Sequence, residues 1–570
     1  MMQKTNPFSE PEPRRLFTMC LLALAAGVIS GVGAWAFRML VGWVHNLLFL
    51  GKFSFPYDAN VHTLAGPWGI GVILAPVVGG LAVAWLVKNF APEAKGHGVP
   101  EVMDAIHYNQ GIIRPRVAII KSLASAISIG SGAAVGREGP IIQIGSAFGS
   151  MLGQFIRMPT RQCVALIAAG SGAGIAATFN APLGGVVFAI ELLLISINSV
   201  NVLLISIAVV VATYISRLLL GAAPSFHVAA LELPDFHLHQ VWILLLFPFL
   251  GAFMGVASAV FIKGLYWSED LFDSMPGNYY TRHSLGMLCV GIMMYLLLHY
   301  AGHYYVQGVG YATIVDILTG VLVNPWFLAL LFILKLLATF LSLGSGASGG
   351  VFSPSLFMGA TAGAAFGHLV TGLLPDLSIG IPAFAIAGMA AAIAGSTGAV
   401  LTAIIMITEM TRDYNIVLPL IITVAVAYAV RKAMMRESIY TLKLLRRNHI
   451  VPEGLESAIN QARNAGEVMR TNFVVVEEGT SIPDDGEVVI KSKEGRIAGV
   501  YDLRGKNKTI ICCVTGTDTM LPETLRLMGQ QGAEIVLVSK RPQSGKTDDI
   551  VGVLTVYEIA EHTMNMAKLL

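Results

Sequence analysis

The chain has 570 residues, of which 55% are hydrophobic and only 13% charged, and its mean hydropathy is +0.69. A soluble domain carries roughly 25% charged residues, so a string of soluble domains is excluded, and a net charge of +2 leaves no electrostatic case for nucleic acid as a partner. The charge is unevenly placed: residues 451–570 hold 13 Lys/Arg and 17 Asp/Glu, and the first 450 hold only the remaining 24 and 18.

Taken in order, apolar stretches fall at about 16–50, 66–90, 117–135, 141–157, 163–179, 182–197, 199–221, 241–265, 284–300, 326–343, 350–374, 380–395, 398–410 and 416–430. A crossing needs about 20 apolar residues, so the shorter stretches, bounded by Gly, Pro or Ser, are expected to be tilted, broken or re-entrant. Residues 1–15 read as a cytosolic tail, since Arg14 and Arg15 precede an apolar stretch too long for a cleavable signal. Arg431, Lys432, Arg436, Lys443, Arg446 and Arg447 follow the last apolar stretch, and positive-inside bias places that end in the cytosol. The expected protein is a multi-pass component of a cytoplasmic (inner) membrane with both termini cytosolic. Cys20, Cys163, Cys289, Cys512 and Cys513 show no metal-ligand spacing, so no metal site is expected, and thiols in the soluble end fit a reducing cytosol.

An internal repeat organises the apolar region. Lys121 to Pro140 (KSLASAISIGSGAAVGREGP) aligns with Lys335 to Pro354 (KLLATFLSLGSGASGGVFSP), and ten of the twenty positions are identical. Gly170 to Glu191 parallels Gly388 to Glu409 in the same order. Two homologous halves, at about 16–221 and 241–435, are therefore expected, as in many transporters and channels. The repeat alone leaves open whether the halves are inverted.

In both halves an apolar helix runs into a Gly/Ser-rich break and restarts near Pro140 or Pro354, where proline suits a first helical turn. A third break is Gly96-His97-Gly98-Val99-Pro100. Each leaves helix N-terminal N–H groups at membrane depth, where unpaired donors are expensive. The positive end of a helix dipole suits an anion, so His97, Gly98, Gly136, Arg137 and Gly139 become candidate anion-binding positions. The plain alternative is that the glycines only let helices pack closely. Against it stands Arg137-Glu138, since ionisable residues inside membranes are costly and usually functional.

The motifs GREGP at 136–140, GVFSP at 350–354, GHGVP at 96–100 and FNAPLGGVVFAIE at 179–191 resemble the CLC family of chloride channels and chloride/proton exchangers, over roughly residues 20–440. The resemblance implies a homodimer with an anion pathway in each subunit, built of two inverted halves, that carries chloride or a similar monovalent anion and, in exchangers, protons. It makes Glu138 the gating and proton-carrying carboxylate, Val351 and Phe352 backbone donors to the central anion, and Tyr440 a hydroxyl donor to the same ion. Two positions depart from the family pattern. His97 stands where serine is common, which puts preference for chloride over other anions in doubt. Leu192 stands where many exchangers carry a second, proton-relaying glutamate. Protons must then reach Glu138 otherwise, by water near Glu101 or Glu191, or coupling is weak or lost. Glu191 itself reads first as structural, because Glu409 ends the equivalent helix.

After Asn448 the pattern changes to short strands, at Gly466–Val476 and Gly495–Tyr501, then strand, helix (Leu521–Gln531), strand (Ala533–Val538), strand (Ile550–Leu554) and helix over 508–562. This resembles a tandem CBS module over 448–570, with a degenerate first unit lacking a helix and strand between Thr480 and Gly486. Such modules often bind adenine nucleotides; here Thr555 and Glu558 are the candidate contacts, with a ligand-free dimer brace as the competing reading. No other cofactor is expected. The fold class is thus an all-α polytopic membrane domain of two inverted homologous halves with many short re-entrant helices, over 16–447, plus a small α/β CBS-like domain. A CBS-containing magnesium transporter is the main alternative, but hard cations need converging carboxylates, and the breaks offer amide donors. An intramembrane enzyme using Ser131 or Ser345 would need a companion histidine or lysine, and none is evident, so the chain is read as a transport protein and not an enzyme.

Overall fold

The computed structural model describes residues 13–555 apart from 196, 224, 227–240, 376–378, 450, 455–463, 479, 481–487, 503–508, 520, 522–523, 525–526, 529–530 and 542–545. These form two compact units, one ending at Gly454 and the other starting at Leu455.

The first unit is helical. Its first half contains α1 (Pro13–Leu50), α2 (Leu74–Phe90), α3 (Val99–His107), α4 (Pro115–Gly130), α5 (Glu138–Phe155), α6 (Thr160–Phe179), α7 (Pro182–Leu192) and α8 (Ser199–Leu220). The second half repeats them as α9 (Leu246–Ser274), α10 (Tyr279–Ala301), α11 (Tyr311–Leu318), α12 (Pro325–Ser345), α13 (Phe352–Leu373), α14 (Ile381–Thr397), α15 (Val400–Thr411) and α16 (Val417–Met434), and α17 (Ile439–Leu445) follows. Among the described residues, nine helices are long and apolar enough to cross a membrane. The shorter ones include α3, α7, α11 and α15, each with fewer residues than a full crossing needs. The unit continues past the expected boundary at 448 as far as Gly454, because Glu453 pairs with the buried guanidinium of Arg431.

Two contacts explain the glycines of the repeat. A Cβ on Gly145 would fall 2.0 Å from the Gly170 carbonyl oxygen, and one on Gly359 would fall 2.3 Å from that of Gly388. These equivalent crossings of α5 on α6 and α13 on α14 thus admit no side chain, the close approach that small residues permit between membrane helices.

The repeated carboxylates settle the direction of the halves. Glu191, near the end of α7, accepts from the Leu401 and Thr402 amides at the start of α15, at 3.1 and 2.8 Å, and from the Thr402 hydroxyl at 2.7 Å. Glu409, near the end of α15, accepts from Leu183 and Gly184 at the start of α7, at 2.9 and 2.7 Å. Each helix is capped by the far end of the other, so the two run antiparallel. As they are repeat partners, the halves are inverted.

Among its described residues the second unit holds a helical turn, α18 (Ala465–Val468), and seven strands: β1 (Val474–Glu477), β2 (Val488–Lys493), β3 (Arg496–Asp502), β4 (Thr509–Ile510), β5 (Cys512–Gly516), β6 (Ile535–Ser539) and β7 (Ile550–Thr555). They form two sheets, β1-β2-β3-β4 and β5-β6-β7. In each, a parallel pair (β1 with β2, β5 with β6) is followed by an antiparallel one (β2 with β3, β6 with β7). Two readings need correction. Gly466–Val476 is not one strand: it begins in α18, and only Val474 onward pairs, because Asn464 caps a helical turn there. β2 is a strand that the sequence reading did not assign. Most of the segment 480–486, the helix after Thr555 and Glu558 lie outside the described residues. Helical backbone at Leu521, Thr524, Leu527 and Met528 fits the expected helix there.

Removing a carboxylate that caps buried amides costs about 1–3 kcal/mol. Glu191→Ala is therefore expected to lower the thermal midpoint of the purified protein, and an unchanged midpoint would refute the cap. In the second unit, burial and the neighbouring Cys512 push the Cys513 thiol up to about 11. Below that pH it stays protonated and poorly nucleophilic, so alkylation of Cys513 near neutral pH is expected only after unfolding, as read by mass spectrometry.

Candidate functional site: four helix ends around Glu138

The breaks preceding α3, α5 and α13 meet. Gly136 and Gly350 exchange backbone hydrogen bonds of 2.7 and 2.6 Å, Gly349 donates to the Gly96 carbonyl at 3.3 Å, and Gly96 donates to Ala347 at 3.1 Å. A Cβ on Gly139 would lie 3.1 Å from the Gly98 nitrogen and 3.3 Å from Gly350 Cα. The structure adds a fourth break missing from the sequence reading: Gly308-Val309-Gly310 before α11, the counterpart of Gly96-His97-Gly98. Tyr311, the first residue of α11, reaches the same place.

The ends are held by symmetric side chains. Lys121 Nζ donates to the carbonyls of Ala94 (3.0 Å) and Gly96; its repeat partner Lys335 donates to Val306 and Gly308 at 2.9 and 2.7 Å. Ser342 Oγ accepts from the Ala134 amide at 3.1 Å, and its partner Ser128 accepts from Ser348 at 3.2 Å. Each half's break is thus braced in part by the other half. Ser131 and Ser345 donate to the carbonyls of Ser128 and Ser342 at 3.1 Å. Ser345 does have a companion that the sequence reading lacked, His283 Nδ1 at 2.9 Å. Both are buried, and Ser345 holds the end of α12, a structural task shared with Ser131.

Glu138 opens α5, and its carboxylate folds into the cleft between the breaks. Oε1 accepts from the Ser353 hydroxyl and, at 3.2 Å, from Tyr311, whose hydroxyl lies 2.8 Å from Ser353 Oγ. Oε2 is buried without a hydrogen-bond partner among the described residues. A Cβ on Gly136 would lie 2.0 Å from Oε2, and one on Gly350 2.8 Å, so those glycines make the room that the carboxylate occupies. The Arg137 guanidinium is not paired with Glu138. It lies 5.0 Å from the Tyr311 ring centre and 3.5 Å from the Thr178 carbonyl.

Val351 and Phe352 start α13, so their amides belong to a helical first turn, where N–H groups lack intrahelical partners. Tyr440 lies on α17, its ring 6.0 Å from that of His97. His97 is buried beside Gly98, which caps α3. Of the two carboxylates considered for carrying protons, Glu101 is bound by Arg447 at 2.7 and 3.0 Å and Glu191 caps α15. Leu192 is buried and apolar. Tyr311 and Ser353 escaped the sequence reading. A comparison of GVGY at 308–311 with GHGV at 96–99 would have exposed the first, and Ser353 already sat inside GVFSP.

A family model for voltage gated chloride channels matches residues 79–432. The chain belongs to that family, the CLC proteins. It is 33% identical over 433 residues to the H(+)/Cl(-) exchange transporter ClcA of Vibrio parahaemolyticus serotype O3:K6, covering 75% of this chain and 90% of the relative. It is 30% identical over 455 residues to the ClcA of Salmonella paratyphi B, covering 78% and 92%. Among solved structures, it resembles a slow cyanobacterial Cl-/H+ antiporter with a TM-score of 0.66 and 28% identity, over 77% of this chain and 99% of the other. A eukaryotic CLC transporter matches in fold over 95% of this chain, with a TM-score of 0.61 and 22% identity.

Hydrogen bonds to a charged group contribute about 1.5–3 kcal/mol each. Where release of the Glu138 carboxylate limits turnover, Ser353→Ala is expected to raise chloride flux at neutral pH by about tenfold. Chloride efflux from liposomes measures it, and an unchanged or slower rate would mean that the Ser353 bond does not restrain the Glu138 carboxylate.

Proposed function

We infer that this CLC protein exchanges chloride, or a similar monovalent anion, for protons, with Glu138 as gate and proton carrier. The observation that carries this is the position of the Glu138 carboxylate, folded into the glycine cleft where helix N-termini converge. An ionised carboxylate is itself an anion and competes for those donors. Protonation removes its charge and frees the cleft, so proton binding and anion entry are linked at one place. The amides of Val351 and Phe352, the Tyr440 hydroxyl and the break at Gly96–Gly98 are the proposed partners of the anion, in line with their places in the family motifs. A cleft of amide dipoles binds an anion without the fixed counter-charge that would trap it. A magnesium site has no such support: Glu101, Glu191 and Glu409 are drawn to an arginine or to helix ends instead of to one another.

By the family resemblance the protein works as a homodimer in a cytoplasmic membrane. The basic residues from Arg431 to Arg447 support cytosolic placement of the chain's end. The second unit is proposed as a CBS-like brace, supported by its two strand triplets of equal pattern. Thr555 ends β7 there, and an adenine nucleotide would have to be held by it together with residues beyond it.

The test is chloride efflux from liposomes with external chloride and pH recorded together after a potassium ionophore releases the membrane potential. The wild type is expected to move protons inward as chloride leaves, with flux rising as pH falls. Glu138→Gln is expected to keep chloride flux while losing both proton movement and pH dependence. Efflux without proton movement in the wild type would make it an uncoupled channel, with Leu192 as the physical reason.

A further inference from the structure

His97 carries an unsatisfied atom that the gate mechanism does not use. Its ring is 1% exposed. Nε2 lies 3.3 Å from the Tyr266 hydroxyl oxygen. That hydroxyl has one proton, and it donates it to the Ile439 carbonyl at 2.5 Å. Tyr266 can therefore only accept from His97, which places the neutral ring's proton on Nε2. Nδ1 is then a bare lone pair, buried and without a partner among the described residues. A buried acceptor with no donor is costly, and the ring sits at the break before α3, against Tyr440.

The geometry points to His97 as a second proton-binding group of the transport cycle, taking up a proton at Nδ1 together with the anion that enters the cleft. The proton comes from water on the cytosolic side and forms an N–H bond with the Nδ1 lone pair. The resulting imidazolium donates from Nε2 to Tyr266 and from Nδ1 to the anion, and the positive and negative charges offset each other. The proton leaves by the reverse step when the anion departs.

The surroundings make the two events interdependent. Lys121 on α4 donates to the carbonyl of Gly96, the residue before His97. Lys443 on α17 stands 3.1 Å from where a Cβ on Gly96 would lie, and Arg447 follows it. The acidic groups facing this region are Glu101 on α3, bound to Arg447 and 3.7 Å from Lys443, Glu269 on α9 one turn beyond Tyr266, and Glu138 on α5. Arg446, paired with Asp270 at 2.8 Å, lies 4.8 Å from the Tyr266 ring centre, and Tyr266 and Tyr440 are the aromatic hydroxyls beside His97. An imidazolium among three cations is disfavoured by Coulomb repulsion until a negative ion joins it, so each ligand promotes the binding of the other. This gives the protein a proton-binding side chain on the anion path, where Leu192 can hold none and Glu101 and Glu191 are already bound.

His97's role rests on the anion site proposed above, and the test separates the two. Chloride is titrated calorimetrically into the purified full-length protein carrying Glu138→Gln, which removes the gate's own proton. Two buffers of different ionisation enthalpy, at a pH of about 6.5 where imidazole titrates, report protons taken up per chloride. Uptake in this background, lost when His97→Gln is added, is expected. Chloride binding with no uptake, or equal uptake in both proteins, overturns the role of His97 and leaves the anion site standing. No chloride binding in the Glu138→Gln protein overturns both. Should His97→Gln abolish binding, Tyr266→Phe in the Glu138→Gln background keeps the ring but removes its Nε2–H acceptor. Proton uptake should then shift to lower pH, and an unshifted profile overturns the proposal.

Discussion

Backbone polar groups cannot be left bare at membrane depth, and this constraint organises the whole helical unit. A helix that stops inside the bilayer exposes N–H groups at one end and carbonyls at the other. The protein satisfies the ends in matched pairs. Glu191 and Glu409 accept the amides of α15 and α7. Lys121 and Lys335 donate to the carbonyls before α3 and α11. Ser128 and Ser342 take one amide each from the opposite half's break. What remains open after these bonds is the cleft at Gly136 and Gly350, and there the Glu138 carboxylate lies.

The proposed site lies where the symmetry fails. Glu138 is the repeat counterpart of Phe352, Arg137 of Val351, His97 of Val309 and Tyr311 of Val99. At each pair one half supplies a polar or titratable side chain and the other an apolar one. The scaffold needs both halves alike, because each braces the other's break. Under the proposed function the chemistry needs them unlike, because two carboxylates in one cleft would repel each other and exclude the anion. A near-symmetric frame with a few one-sided substitutions meets both demands.

The second unit shows a looser duplication. Its two strand triplets share the parallel-then-antiparallel order, and a parallel pair needs a crossover between its strands. Between β5 and β6 that crossover has helical backbone at Leu521, Thr524, Leu527, Met528 and Gln531. Apolar residues of both sheets, among them Ile490, Val500, Leu537 and Val553, form one cluster, so the sheets share a core.

The sequence by itself determined the membrane class, the two halves, the three motif breaks and the identity of Glu138 as an ionisable residue in an anion-suited place. Those follow from composition, from repeated glycines and from one charged pair in an apolar setting, all of which are local. It did not reveal the inversion, since a repeat in the chain is the same string whichever way it crosses the bilayer. Nor did it expose Tyr311, whose break lacks the proline that marked the others, or the pairing of Ser345 with His283, 62 positions apart. The orphaned Nδ1 of His97 was likewise hidden, because the ring's protonation is decided by Tyr266 and by the carbonyl to which Tyr266 is committed. Which hydrogen bonds a side chain has left to make depends on neighbours far away in the chain, and only the tertiary structure brings them together.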